Sequence, residues 1–247
     1  MSGKKVALVT GANKGLGLEI SRQLGQQGIT VLVGSRDLER GEAAAATLKA
    51  EGIDARAIKL DVTSEADIAA AVASIEEDFG KLDILVNNGA ISIDGNGDWS
   101  VSNAATIPIA DLRATYDTNF FGVVALTQSL LPLIEKCNAG RIVNQSSILG
   151  SLTLHSDPES PIYSTKLLGY NSSKSALNAF TVHLAYALKD TPIKVNSAHP
   201  GWVKTDMGTD AAPMEIPEGA KTAVELATLP ADGPTGGFFH LGQVLPW

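Results

Sequence analysis

Short apolar runs and longer amphipathic stretches alternate from one end of the chain to the other. The runs fall at residues 6–9, 30–33, 55–60, 84–86, 141–144 and 194–198, and their composition predicts β-strands. Between them, apolar residues recurring every three or four positions predict helices over 16–27, 38–51, 65–78, 112–134 and 172–188. Helix punctuation agrees. Ser64 before Glu65-Ala66-Asp67 has the form of an N-cap followed by an acidic first turn, and Gly28, Gly52 and Gly80 stand where helices stop. Such alternation predicts a parallel sheet with right-handed crossovers and helices on both faces. The first strands are almost wholly apolar, as expected of strands covered on both sides. No linker, repeat or low-complexity tract interrupts the pattern, so 1–247 reads as one doubly wound α/β domain.

Ligands of open α/β sheets bind beyond the carboxyl ends of the strands, near the point where strand order reverses. Polar and glycine residues gather at those ends: Gly34-Ser35-Arg36-Asp37, Asp61-Val62, Asn87-Asn88-Gly89-Ala90, Ser146-Ser147 and His199-Pro200-Gly201. After the first strand comes Thr10-Gly11-Ala12-Asn13-Lys14-Gly15-Leu16-Gly17. A strand, a glycine-rich turn and a helix N-terminus make a phosphate cradle. The glycines let backbone N–H groups approach a pyrophosphate, and the positive helix end favours its charge. The spacing is G-x-x-x-G-x-G, not the G-x-G-x-x-G of the standard dinucleotide fingerprint.

Composition narrows the ligand. Hydrophobic residues make up 44% of the chain and charged ones 19%, enough for a sizeable core. No apolar run approaches the ~20 residues a bilayer span needs. The N-terminus passes from Lys4-Lys5 straight into a strand without a signal-peptide pattern, and the single Cys137 excludes an internal disulfide; together these predict a cytoplasmic protein. A net charge of −8 disfavours nucleic-acid and acidic-membrane partners, so a polyanionic ligand needs local positive charge. Lys14 and Arg36 are placed to supply it.

Tyr170 and Lys174 lie four residues apart at the start of a predicted helix and therefore share one face. A phenol titrates near pH 10 and works poorly at neutral pH unless perturbed, and a neighbouring ammonium stabilises phenolate. With a serine hydroxyl to bind a carbonyl oxygen, such a pair suits alcohol/ketone interconversion. The ordered set Thr10–Gly17, Asp61-Val62, the Asn87–Ala90 turn, Asp117-Thr118-Asn119-Phe120-Phe121-Gly122, Val143-Asn144-Gln145-Ser146-Ser147, Tyr170–Lys174 and Pro200–Met207 resembles the short-chain dehydrogenase/reductase family over nearly the whole length. Within it, the chain is similar to the NADPH-dependent carbonyl reductases, and the tail from Glu218-Gly219-Ala220 to Thr235-Gly236-Gly237-Phe238-Phe239 has the same likeness.

The resemblance implies a Rossmann-like fold and an oxidoreductase that reduces a small-molecule ketone or aldehyde with NADP(H). It implies Tyr170 as proton donor, with Lys174 lowering its pKa and binding the nicotinamide ribose, and Ser147 rather than Ser146 on the substrate oxygen. Asn119 would help hold a relay water near Lys174. Gly11, Asn13, Lys14, Gly15, Leu16 and Gly17 would surround the phosphates, and Asn88 would also bind the cofactor. Asp61 and Val62 would flank the adenine, and Pro200, Gly201, Val203, Lys204 and Thr205 would line the nicotinamide end, with 200–217 as the substrate loop. Two other readings stay open: an alcohol or hydroxysteroid dehydrogenase working oxidatively, and a noncatalytic NADP-sensing protein. An enoyl reductase fits less well, because that branch spaces its tyrosine and lysine more widely.

Charge predicts NADPH over NADH. An acidic residue after strand two serves the ribose 2′-OH of NAD, whereas Arg36 stands there to meet a 2′-phosphate, with Lys14 as a second cation. Asp37 reads as the cap of the next helix. Two departures from the family pattern carry expectations. The turn usually reads Asn-Asn-Ala-Gly, and Asn87-Asn88-Gly89-Ala90 would strain the backbone if Ala90 needs a positive φ. Residues 151–169 form an insertion between Ser147 and Tyr170 that would wall the pocket and cover a helix face, predicting a monomer. Trp99, Trp202 and Met207 are candidates for an apolar pocket wall. His155 could touch substrate or face solvent, His183 reads as structural, and His199 and His240 lack a metal-spaced partner, so no metal is expected.

Overall fold

The computed structural model describes residues 4–97 and 103–247. The strands and helices alternate as the pattern predicts: β1 (Val6–Thr10), α1 (Gly15–Gln26), β2 (Thr30–Ser35), α2 (Leu38–Ala50), β3 (Ala55–Lys59), α3 (Glu65–Phe79) and β4 (Ile84–Asn87). Then come α4 (Ile109–Tyr116), α5 (Gly122–Ile134), β5 (Arg141–Gln145), a short α6 (Leu152–Ser156), α7 (Leu168–Ala187) and β6 (Lys194–Ala198). The chain closes with α8 (Ile216–Ala227) and a hairpin of β7 (Phe238–His240) and β8 (Gln243–Val244). Strand order is β3-β2-β1-β4-β5-β6-β7-β8, parallel throughout except for β8. The order reverses between β1 and β4, which is where such sheets bind ligands.

Strand register sorts the core into two layers. Leu8 pairs with Leu32 and Leu85, and Leu85 with Ile142, so these residues share the face covered by α3 and α5. Val9, Val33, Val86 and Val143 pair in the same way on the opposite face, against α1, α2 and α8. A one-residue slip would exchange the two sets and the side-chain sizes that each layer packs. The helix boundaries also follow local chemistry. Asp37 accepts a hydrogen bond from Arg40 N (3.2 Å) and Ser64 from Asp67 N (3.2 Å), which confirms both caps.

Three features depart from the sequence reading. The helix predicted over 112–134 is two helices, α4 and α5, joined by a π-helical turn at Asp117–Phe121. β7 is too short to show a period of two. The third, α8, buries one face, including Ala220, Ala223, Val224, Leu226 and Ala227, in a stretch the sequence reading takes only as part of the tail's likeness. The insertion holds the short α6.

Candidate active site

A cleft of about 1300 Å³ opens at the carboxyl ends of β1 to β6. It gathers residues far apart in sequence: Gly11, Asn13, Lys14, Gly15, Leu16 and Gly17 after β1, Arg36 after β2, Asp61 and Val62 after β3, and Asn88 after β4. Ser147, Tyr170, Lys174, Pro200, Gly201, Val203 and Thr205 complete the wall at the other end. Among the predicted site residues, Asn119 alone does not line it.

The glycine turn works by close approach. Gly11 holds φ +61°, and a Cβ there would lie 2.8 Å from the Cα of Gly89. A Cβ on Gly17 would lie 2.5 Å from Asn88 Nδ2. Thr10 Oγ1 accepts from the amides of Asn88 and Gly89 (both 2.9 Å), and Asn88 Nδ2 donates to Thr10 O (2.9 Å), so the turns after β1 and β4 interlock. The strain expected at Ala90 is not found. Its φ is not positive, and the residue packed against Gly11 is Gly89, where even a Cβ would meet nothing closer than 3.4 Å. The cradle therefore has the bare backbone a pyrophosphate needs. Arg36 stands exposed at its rim with no ion-pair partner among the described residues. Lys14 is engaged with Asp206 of the 200–217 loop, an exposed ion pair across the mouth of the cleft.

Ser147 lies two residues beyond β5, at the head of a short 3-10 turn, and Tyr170 and Lys174 occupy successive turns of α7. Ser147 stands close enough to the phenol of Tyr170 to influence its titration, and its Oγ accepts from Leu149 N (3.2 Å). Lys174, only 3% exposed, donates from Nζ to the carbonyl of Gln145 (2.7 Å) and lies 5.6 Å from the centre of the Tyr170 ring. Burial pushes the Tyr170 phenol up to about 12, and Ser147 pulls weakly the other way. Burial pulls the Lys174 ammonium down to about 7. Lys174, expected from the family resemblance to lower the phenol, does not set its shift in the free chain: desolvation dominates, and the ammonium donates to Gln145 O.

Asn119 sits in the π-helical turn, 1% exposed. Its Oδ1 accepts from Ile91 N (2.8 Å), and its Nδ2 donates to Ile91 O (2.8 Å) and Ser173 Oγ (3.1 Å). The side chain thus braces the strand-four loop against α7 and is not directed at Lys174. Behind the site runs a ladder that sequence reading missed. Asn87 Nδ2 donates to Asn144 Oδ1 (2.9 Å) and Thr127 Oγ1 (3.0 Å), Asn144 Nδ2 donates to Thr181 Oγ1 (2.8 Å), and Thr181 bonds Ser197 (2.8 Å). Asn87, Asn144 and Ser197 are register partners on β4, β5 and β6, so the ladder pins α5 and α7 to the sheet.

His199 also went unassigned in the sequence. It lines the cleft, nearly buried, with Nδ1 accepting from Ile148 N (3.2 Å), and burial drives its pKa down to about 3. It stays neutral and holds the residue next to Ser147. Among the described residues no group of three metal-ligating side chains occurs. His155 does not line the cleft and is partly exposed: its Nε2 bonds Leu149 O (3.0 Å) and its carbonyl accepts from Lys166 Nζ (2.8 Å), pinning the insertion. His183 is exposed on α7 instead of structural. Trp202 and Met207 line the cleft; Trp99 lies outside the described residues. The insertion packs on the first turns of α7, whereas Val182 and Tyr186 further along stay 41% and 70% exposed. Cys137 is buried, its thiol pushed up to about 11 mainly by desolvation.

Comparison with known proteins agrees with this geometry. The short chain dehydrogenase family model matches residues 5–216. The chain is 36% identical to short-chain dehydrogenase/reductase 1 of Saponaria officinalis, covering 99% of this chain and 96% of that one. It is 35% identical to carbonyl reductase [NADPH] 1 of Homo sapiens, covering 100% of this chain and 99% of the relative. The NADPH-bound carbonyl reductase from chicken fatty liver superposes with a TM-score of 0.84 at 27% identity, with 99% of each chain covered. No helix among the described residues is long and apolar enough to cross a membrane. A family match over most of the chain, on a fold whose cleft gathers the family's motif residues, leads to one assignment: the chain belongs to the short-chain dehydrogenase family.

Proposed function

We propose that the protein reduces the carbonyl group of a ketone or aldehyde to an alcohol with NADPH, and that Tyr170 donates the proton. The observation that carries this reading is the convergence of Ser147, Tyr170 and Lys174 at the floor of a cleft whose far end is a glycine phosphate cradle. NADP(H) fits that cradle: Gly11, Gly15 and Gly17 leave its backbone open, and Arg36 offers a planar fork to a 2′-phosphate. When bound, the cofactor supplies the hydride.

The residues of this chain do the rest. The Ser147 hydroxyl holds the substrate oxygen beside the phenol. A phenol held at about 12 keeps its proton at neutral pH and releases it only as the carbonyl oxygen gains negative charge. An ammonium near 7 can pass a proton onward at working pH. Asn119 and the Asn87–Asn144–Thr181–Ser197 ladder hold α7 so that both groups stay in place. His199, neutral, fixes the turn after Ser147.

A panel of aliphatic, aromatic and cyclic ketones and aldehydes, run with NADPH and with NADH, tests the reading. Turnover should favour NADPH. Tyr170→Phe should lose about 10²–10⁴-fold in kcat while NADPH binding, followed by fluorescence, is retained. Turnover close to wild type in Tyr170→Phe would identify another acid. Cofactor binding with no turnover on any carbonyl would favour a sensing role.

A further inference from the structure

The helix that carries Tyr170 begins without a cap of its own. Leu167 occupies the N-cap position of α7 and makes no side-chain capping bond. An N-cap side chain ordinarily satisfies the amides two and three residues into the helix, here Gly169 and Tyr170. Both are satisfied by a residue 75 and 76 positions earlier: Asp94 Oδ1 accepts from Gly169 N (2.8 Å) and Oδ2 from Tyr170 N (2.9 Å). Asp94 is fully buried, at 0% exposure. The site is shaped for that carboxylate, since a Cβ on Gly169 would lie 3.0 Å from Oδ2 and 3.4 Å from Oδ1.

The segment bearing Asp94 is tied along its length. Asn88 bonds Thr10 at the glycine turn, Ile91 is clamped on both backbone groups by Asn119, and Asp94 then meets the amide of Tyr170 itself. One strap therefore runs from the phosphate cradle to the proton donor. Resting on the reading of Tyr170 as that donor, we infer that Asp94 is a positioning residue: its carboxylate sets the first turn of α7, and so the place of the Tyr170 phenol against Ser147. It acts through the backbone of Tyr170. A negative group there also complements the positive end of the helix.

The test compares Asp94→Ala, Asp94→Asn, Gly169→Ala and the double variant Asp94→Ala/Gly169→Ala with the wild type. A ketone that the wild type turns over gives kcat, and NADPH fluorescence titration gives Kd. Displacing a reacting group by a fraction of an ångström to an ångström costs up to about 10²-fold. Asp94→Ala should therefore lower kcat roughly ten- to hundred-fold with the NADPH Kd within about twofold, because the cradle is untouched. Asp94→Asn, which keeps one acceptor oxygen, should recover part of the loss. Gly169→Ala should lower kcat in the wild-type background and add little to Asp94→Ala, since its methyl acts by crowding that carboxylate.

Three results would overturn the inference: wild-type kcat in Asp94→Ala, independent multiplying losses in the double variant, or a loss of NADPH affinity parallel to the loss of kcat. If Asp94→Ala does not fold, the remaining variants decide: wild-type kcat in both Asp94→Asn and Gly169→Ala overturns it. Tyr170→Phe run alongside separates the two claims. If that variant is inactive while Asp94→Ala is not impaired, positioning by Asp94 alone is refuted; if it keeps full turnover, the assignment of the donor is.

Discussion

Replacing Lys174 with methionine should abolish turnover and yet make the protein more stable below neutral pH. The ammonium is 3% exposed and has a backbone carbonyl, not a carboxylate, as its partner. Its pKa falls from 10.5 to about 7 because burial penalises the charged form. That gap corresponds to about 5 kcal/mol. The sign follows from proton counts. Between pH 7 and 10.5 the unfolded chain binds a proton at this lysine that the folded chain does not, so wild-type stability rises with pH across that window. Below pH 7 both states are protonated and the full penalty stands; above 10.5 it is gone. Methionine has a similar shape and no charge, but loses the bond of the neutral amine to Gln145 O, about 1 kcal/mol; the stronger bond of the ammonium is already contained in the pKa gap. Lys174→Met should thus gain roughly 4 kcal/mol at pH 6, break even near about pH 10, and lie about 1 kcal/mol below wild type above pH 10.5. For a chain of this size the gain at pH 6 is on the order of 8–16 °C in Tm. Thermal unfolding of both proteins by circular dichroism, from pH 6 to pH 10, reads this directly. The raised pKa of Tyr170 acts only above pH 10 and leaves the window clean. A stability difference that does not change between pH 6 and pH 10 would refute the argument that burial of this ammonium is costly.

Two further outcomes follow from charge and backbone geometry. Asp206→Asn should free Lys14 for the cofactor's 2′-phosphate, lowering the KM for NADPH about two- to fivefold at low salt, with the effect fading as salt rises. An equal change in the KM for NADH would show that Lys14 does not read that phosphate. Leu241 and Gly242 form the two-residue turn between β7 and β8 with φ of 45° and 77°, a geometry that favours asparagine over leucine at the first position. Leu241→Asn should add about 1 kcal/mol, roughly 2–4 °C in Tm, with activity unchanged; a lower Tm would mean that the partly exposed leucine packs more than its position suggests.

The parts of the fold legible in sequence are those whose signal is local. Apolar runs bounded by glycine gave six strands within a residue or two, and Asp37 and Ser64 announced their caps because capping chemistry is contained in four residues. The π-helical turn at Asp117–Phe121 left no such trace. It is tied to Asn119 meeting the backbone of Ile91, a contact 28 residues away, and helical periodicity continues on both sides of it. The Ala90 expectation failed for the same reason. A motif records which positions are glycine, whereas the close contact is between Gly11 and Gly89, on turns that only the β1–β4 pairing brings together.

The site shows the same division between what a motif carries and what burial decides. The glycine turn, Arg36 and the Ser147, Tyr170 and Lys174 set were readable because each residue type has its own chemistry, and all of them line one cleft. Their electrostatics were not readable. A helical spacing of four says that Tyr170 and Lys174 share a face, and proximity of opposite charges then argues for a lowered phenol pKa. The sign reverses when both groups are taken out of water, because desolvation grows with burial while the benefit of the pair depends on where the ammonium points. Here it points at Gln145 O, and the phenol rises to about 12. That reversal changes the role the phenol can take. A phenolate at rest would serve as a base toward an alcohol, whereas a phenol that holds its proton is set to protonate a carbonyl oxygen as charge builds on it. Burial of α7's first turns, capped by Asp94 and braced by Asn119, therefore does more than hold the tyrosine still: it also sets the protonation of the phenol at rest.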